Sequence, residues 1–380
     1  MKKSILNGVL GLAMTAVWAG NVSAADPIRV GVPVVFSGPG AFVGTAEKNT
    51  LEMMAQDLNA KGGINGRPIK FIYYDTEAKP DVAVRMVTRL IKKDQVDAIL
   101  GPTASWTGLP AKPIVEKFKM PTIMLASGSA LVVPVAKWVF KVPPDDRIVV
   151  NRLLTHFKAK NITRVALTSS QDGFGNGGRK AFLANAVKFG VKVVFDERYT
   201  MEDTDLSPML NKIKKTDAQV VLNWSSGKAP IVFAMNYKQV GIKLPHYESH
   251  GPLSAQFLKA VGDNAKGIML AGPKIEGYKN LADSDPQKKV ITAFKNAYRA
   301  NYKAEGNLFG SGAYDAFNIL VAALKKAGTD KAKLRDAIEQ TTGYVGVGGI
   351  YNFSATDHGG LSGKSLVMYQ ATDNGWELMK

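Results

Sequence analysis

Apolar residues recur along this chain with two alternating periods. Ile28 to Val35 is an almost unbroken apolar run. Pro68 to Asp75, the end of a run at Ala98 to Leu100, Pro121 to Leu125, Arg164 to Thr168, Lys192 to Asp196 and Gln219 to Leu222 are further short runs bounded by turn residues. Runs of this kind predict buried strands. Between them the period changes to that of a helix. From about Ala46 to Ala60, Leu51, Met54, Ala55 and Leu58 share one face, and Gly62-Gly63 closes the segment. Helices are also expected at Asp81 to Lys93, Thr107 to Lys119, Ile148 to Lys158, Arg179 to Phe189, Leu206 to Lys215, Ala229 to Val240 and across Gln287 to Ala327. Strands that alternate with helices imply parallel pairing through right-handed crossovers. Pro143-Pro144-Asp145-Asp146 interrupts the alternation, which then restarts, so two α/β lobes are expected. Gly272-Pro273 and Gly348-Gly349 are candidate points at which the chain crosses again.

The chemistry collects after strand ends. Thr103-Ala104-Ser105 follows a buried strand and precedes a helix carrying Pro110 and Pro113 near its start. Free backbone N–H groups there suit a carboxylate or phosphate, although an ordinary capped loop has the same composition. Trp106, Phe174, Trp224 and Phe309 also fall at loop positions, where open α/β sheets place ligands. The segment from Gly173 to Gly178 fits Gly-x-Gly-x-x-Gly, and Asp196 ends the next strand, which together resemble a dinucleotide fingerprint. The expected loop from Thr168 to Gly173 is longer than the tight turn a pyrophosphate requires, so a Rossmann-type NAD-dependent enzyme is only the alternative reading. His156, His246, His250 and His358 stand in unrelated contexts without metal-ligand spacing. No catalytic residue, metal or cofactor is expected.

Composition narrows the picture. The 380 residues are 46% hydrophobic, enough for two lobes. Lys2 and Lys3, an apolar stretch from Ile5 to Ala19 and Val22-Ser23-Ala24 fit a signal peptide over residues 1–25. The apolar run is short for a membrane span. There is no cysteine, which excludes disulfides, thiol catalysis and lipid attachment through a thiol. The expected location is therefore the periplasm. The net charge of +17 points to anionic solutes or acidic surfaces. Its lysine pairs, such as Lys92-Lys93 and Lys325-Lys326, are scattered along helices, so no nucleic-acid partner is expected.

Several of these segments carry a resemblance. I-R-V-G-V-P-V-V-F-S-G-P-G (Ile28 to Gly40), D-L-N-A-K-G-G-I-N-G (Asp57 to Gly66), Asp75, L-G-P-T-A-S-W-T, D-G-F-G-N-G and Gly272-Pro273 are similar to the leucine/isoleucine/valine-binding proteins of bacterial ABC importers. The resemblance covers essentially the whole chain after residue 25. It implies a type I periplasmic binding protein fold: two Rossmann-like lobes joined by a three-crossing hinge, with ligand in the cleft. Lobe 1 would comprise residues 26–145 and 275–349, and lobe 2 residues 146–274 and 350–380. It further implies a monomer that captures a small carboxylate and delivers it to a membrane permease. By position, Ser105 would hold the ligand carboxylate, and Ala126 and Ser127 would surround its α-carbon. Ser129 would replace a threonine whose place Gly128 takes. Phe174 stands where a pocket tyrosine is usual, Trp224 or its neighbour Ser225 on the opposing wall, and Val43 and Phe309 at side-chain contacts. His250 falls where amino-acid binders carry the acid that pairs with the ligand ammonium. A buried ammonium without counter-charge is costly, so the ligand is left open between a hydrophobic amino acid and an aromatic acid. A ligand-sensing domain of the same fold is a third reading.

Overall fold

The computed structural model describes residues 26–379, so the expected signal peptide lies outside the described residues. The chain begins with β1 (Ile28–Val34), α1 (Ala41–Ala60), β2 (Ile69–Asp75), α2 (Pro80–Lys92), β3 (Ala98–Thr103), α3 (Ser105–Lys117), β4 (Thr122–Leu125) and β5 (Val139–Lys141). It continues with α4 (Asp146–Ala159), β6 (Arg164–Ser170), α5 (Gly173–Ala186), β7 (Lys192–Tyr199), α6 (Ser207–Ile213), β8 (Val220–Trp224), α7 (Ala229–Val240), β9 (His246–Glu248), α8 (Ala255–Val261) and β10 (Met269–Pro273). Then come α9 (Pro286–Tyr302), α10 (Leu308–Ala327), α11 (Lys331–Glu339), β11 (Tyr344–Val345), β12 (Ile350–Tyr351), β13 (Leu366–Thr372) and β14 (Gly375–Leu378).

The strands form two large sheets. The first runs β2-β1-β3-β4-β5 and is parallel throughout. The second runs β14-β13-β10-β9-β8-β6-β7. Its β7-β6-β8-β9-β10 portion is parallel and repeats the strand order of the first sheet, while β13 and β14 add on antiparallel. Parallel strands are covered on both faces by their crossover helices, which explains why these strands are apolar rather than alternating. In the first sheet, Val30, Val32, Leu100 and Ile123 pack with Leu51 of α1 and Phe317 and Leu320 of α10. Ile99 and Met124 face the other way, toward α2 and α3. In the second sheet, Val165, Leu167 and Leu222 meet α4 and α5, and Ala166 and Val221 meet α6 and α7.

Several boundaries differ from the sequence expectation. α1 starts at Ala41 and α3 at Ser105, each a few residues early. The expected helix across Gln287 to Ala327 is two helices, broken where Lys303 takes a left-handed φ of 54°. The glycine-rich stretch is not a loop, because α5 begins at Gly173 rather than Arg179. The third passage between sheets also falls later than Gly348-Gly349. β12 pairs with β11, Tyr351 and Phe353 belong to the core of the first sheet, and the chain joins the second sheet only at Leu366. Tyr351 is held there by its hydroxyl, 2.9 Å from the Val142 carbonyl and 2.9 Å from Asp315 Oδ2.

Candidate functional site

In both parallel sheets the strand order reverses beside the first strand, at β1/β3 and β6/β8. Crevices at such points, outside the carboxyl ends of the strands, are where open α/β sheets bind ligands. The two crevices face one cavity of about 830 Å³. Segments after β1, β2, β3, β4 and β5 line one side, and segments after β6, β7, β8 and β9 line the other.

Ser105 occupies the first turn of α3. The preceding residue, Ala104, has a left-handed φ of 70° and offers no capping side chain, so the first N–H groups of the helix have no side-chain partner. The Ser105 hydroxyl accepts the Gly128 N–H at 2.9 Å. One lone pair is thus occupied, while its proton is available to an acceptor in the cavity. Free helix N–H groups and a hydroxyl donor on one spot form a seat for an anion.

The opposite wall presents aromatic rings beside polar residues such as Gln171, Asp172 and Lys228. Phe174 lies 5.3 Å from the His250 ring and 5.9 Å from Trp224, between ring centroids. His250 reaches across to the first lobe, with its Nε2 3.1 Å from Ser127 Oγ. It is 2% exposed, and its Nδ1 has no partner among the described residues. Burial first, then the positive field of Lys141, pushes its pKa down to about 3, so the ring is neutral. An unfolded histidine takes a proton near pH 6.5. The unfolded state therefore binds more protons between about pH 6.5 and 3, and this group's contribution to stability falls as pH falls through that window. His250→Gln removes the effect. Relative to wild type, the variant should gain about 1.4 kcal/mol per pH unit below pH 6, read from urea unfolding at pH 7, 6 and 5. A stability difference that does not change with pH would mean that the ring titrates normally.

Eight of the ten expected site residues line the cavity: Val43, Ser105, Trp106, Ala126, Ser127, Phe174, His250 and Phe309. Trp106 is half-buried, donates from Nε1 to the Ala78 carbonyl at 3.1 Å and packs against the core of the second lobe. Phe309 meets Phe42 edge-on at 5.6 Å. Trp224 and Ser129 are not on the wall. Trp224 has no exposed surface and stands behind Phe174, because the start of α5 lies between it and the cavity. The Ser129 N–H points to Asp146 Oδ2 at 3.3 Å, toward the link between lobes.

The glycines of α5 serve packing. A Cβ on Gly175 would lie 2.0 Å from the Ser170 carbonyl, and one on Gly178 would lie 2.0 Å from the Trp224 ring. The N-terminus of α5 is already capped by Asp172, whose Oδ1 accepts the N–H groups of Phe174 and Gly175. A pyrophosphate would compete with that carboxylate, so the dinucleotide resemblance does not carry over.

The acid nearest His250 in sequence, Glu248, is turned away. It is fully buried and bonded to His246 Nε2 at 2.8 Å and to Asn223 Nδ2. Glu47, not anticipated from the sequence, does line the cavity. Its signal was present: it lies four residues before Leu51 on the apolar stripe of α1, where a charged residue is out of place.

A family model described as periplasmic binding protein matches residues 27–375. An amino acid binding protein of Pseudomonas aeruginosa is 27% identical, over 87% of each chain. The Leu/Ile/Val-binding protein of Escherichia coli is 25% identical, over 77% of each. The solved structure of an extracellular ligand-binding receptor from Rhodopseudomonas palustris superposes with a TM-score of 0.87 at 25% identity, covering 93% of this chain and 99% of that one.

Proposed function

This chain belongs to the periplasmic binding protein family, and from that premise we propose that it is a binding protein, not an enzyme, which captures a small carboxylate in the periplasm for an ABC importer. The relatives named for amino acids support the importer class. Capture would proceed by closure of the two lobes about their three connecting segments, the motion general to periplasmic binding proteins. The Ser105 hydroxyl and the N–H groups at the start of α3 would hold the carboxylate, and Phe174, Trp106 and Phe309 would enclose an apolar body. The protein would act as a monomer.

Within that class, the ligand favoured is an ammonium-free acid with an aromatic or bulky apolar group. The observation that carries this is the neutral His250 where an amino-acid binder needs a carboxylate. The other acids at the cavity do not replace it. Glu77 is paired with Lys79, Asp172 caps α5 and Glu202 is exposed. Glu47 is buried, and that burial raises its pKa well above the usual carboxylate range, so it offers a neutral carboxyl rather than a counter-charge. A hydrophobic amino acid is the second reading, favoured by the names of the relatives.

The deciding experiment is a thermal-shift and calorimetric screen with benzoate, phenylacetate, phenylpropanoate, leucine and valine. A ligand at a hundredfold its Kd stabilises the folded state by about 2.7 kcal/mol. Aromatic acids are expected to raise the melting point and leucine to leave it unchanged. A shift with leucine or valine and none with the acids overturns the ligand assignment but keeps the importer class.

A further inference from the structure

Glu47 has no counterpart in the serine seat or the aromatic wall. It follows β1 on α1, one helical turn after Val43, so both side chains face the cavity floor. It is 1% exposed. Its one side-chain hydrogen bond among the described residues comes from the Thr103 hydroxyl, which donates to Oε2. No lysine, arginine or histidine forms an ion pair with it among the described residues, and the cavity it lines is also walled by Val35, Val43, Leu125 and Leu308. An ionised carboxylate is costly in such a place, and the group keeps its proton instead. Burial accordingly raises its pKa well above the usual carboxylate range.

The Thr103 hydroxyl has no other partner among the described residues, so its proton is spent on Oε2. The acid proton then belongs on Oε1, where no described protein group accepts it. A carboxyl held neutral by apolar surroundings is a strong hydrogen-bond donor. An apolar residue would fill this site without the cost of burying the acid.

We infer that Glu47 is a second ligand anchor, which donates a hydrogen bond from its neutral carboxyl to an uncharged oxygen, hydroxyl or oxo, on the captured acid. This rests on the carboxylate reading above and narrows it to acids that carry a second oxygen function. Ser105 and α3 hold the charged end, and α1 reads the substituent.

The test is calorimetry on the wild-type protein, Glu47→Gln and Glu47→Leu. The ligand pairs are benzoate with 3- and 4-hydroxybenzoate, phenylacetate with 4-hydroxyphenylacetate, and phenylpropanoate with its 2-oxo derivative. At least one oxygenated member should bind wild type about tenfold tighter than its parent, the worth of one buried hydrogen bond. Glu47→Leu should erase that preference, bringing the ratio of the two affinities to about one. Glu47→Gln, which keeps a neutral donor, should retain it. A purely structural Glu47 would weaken parent and derivative together and lower the melting point without changing their ratio, which overturns the inference. An unchanged preference in Glu47→Leu overturns it as well, as does wild-type binding of leucine that Glu47→Gln abolishes, the mark of an ionised counter-charge for its ammonium. If Glu47→Leu does not fold, loss of the preference in the isosteric Glu47→Gln is contrary evidence on its own. Failure of every acid to bind sinks the carboxylate reading itself, whereas binding of the parents with no oxygen preference sinks only this one.

Discussion

Gly178→Ala is expected to destabilise the protein by about 3 kcal/mol, although alanine is the better helix former. A helical Gly→Ala exchange on an open face gains up to about 1 kcal/mol. Here the new methyl would lie 2.0 to 2.3 Å from three atoms of the Trp224 indole. That ring is rigid and has no exposed surface, and the Phe174 and His250 rings pack against it. It has no flexible end to give way, so overpacking outweighs propensity. The complementary change, Trp224→Ala, empties a large buried site and should cost about 3 to 5 kcal/mol. Because the two residues touch, their effects should not add. The double variant Gly178→Ala/Trp224→Ala should be more stable than the sum of the two losses implies. Urea unfolding of the four proteins measures this, and strict additivity would mean that the glycine and the indole are not packed as described.

Ser105→Ala should give the largest change in ligand affinity. A hydrogen bond from a hydroxyl to a charged group contributes about 1.5 to 3 kcal/mol, so the Kd should rise about tenfold to a hundredfold. The substitution also strips the Gly128 N–H of its acceptor, in a place where the backbone is buried. A modest drop in melting point should therefore accompany the loss. Ser129→Ala is the control. Its side chain is off the cavity wall, so affinity should stay within about twofold, as for an ordinary surface change. Equal losses at both serines would place the carboxylate nearer the link between lobes.

The fold was legible because parallel strands buried on both faces leave continuous apolar runs, as at Ile28 to Val34 and Ala98 to Leu100. Helix starts were less legible. α3 and α5 begin directly at the site, where serine and glycine are selected by the cavity and by close packing rather than by helix propensity. Ser105, Ser127, Phe174 and His250 fell on the cavity because they follow strand ends, and topology alone puts strand ends there. Trp224 follows the same rule but was misplaced. Its size suggested a platform, yet the absence of side chains on Gly175 and Gly178 draws α5 close enough to cover it. Glu47 was overlooked because a helix surface is the ordinary place for glutamate. Only its register with Leu51 distinguishes it.

The order in which the chain visits its two sheets has a consequence for how its cores are completed. All five strands of the first sheet are present by Lys141, but α10, which supplies Phe317, Ile319 and Leu320 to its core, starts only at Leu308. The second sheet waits longer still, for β13 and β14 up to Leu378. An emerging polypeptide thus holds neither core complete until its final quarter is available. Contacts this distant in sequence close slowly. A truncation before Leu308 would take Phe317, Ile319 and Leu320 from the first core and Leu366 and Met368 from the second, so both lobes should lose stability together.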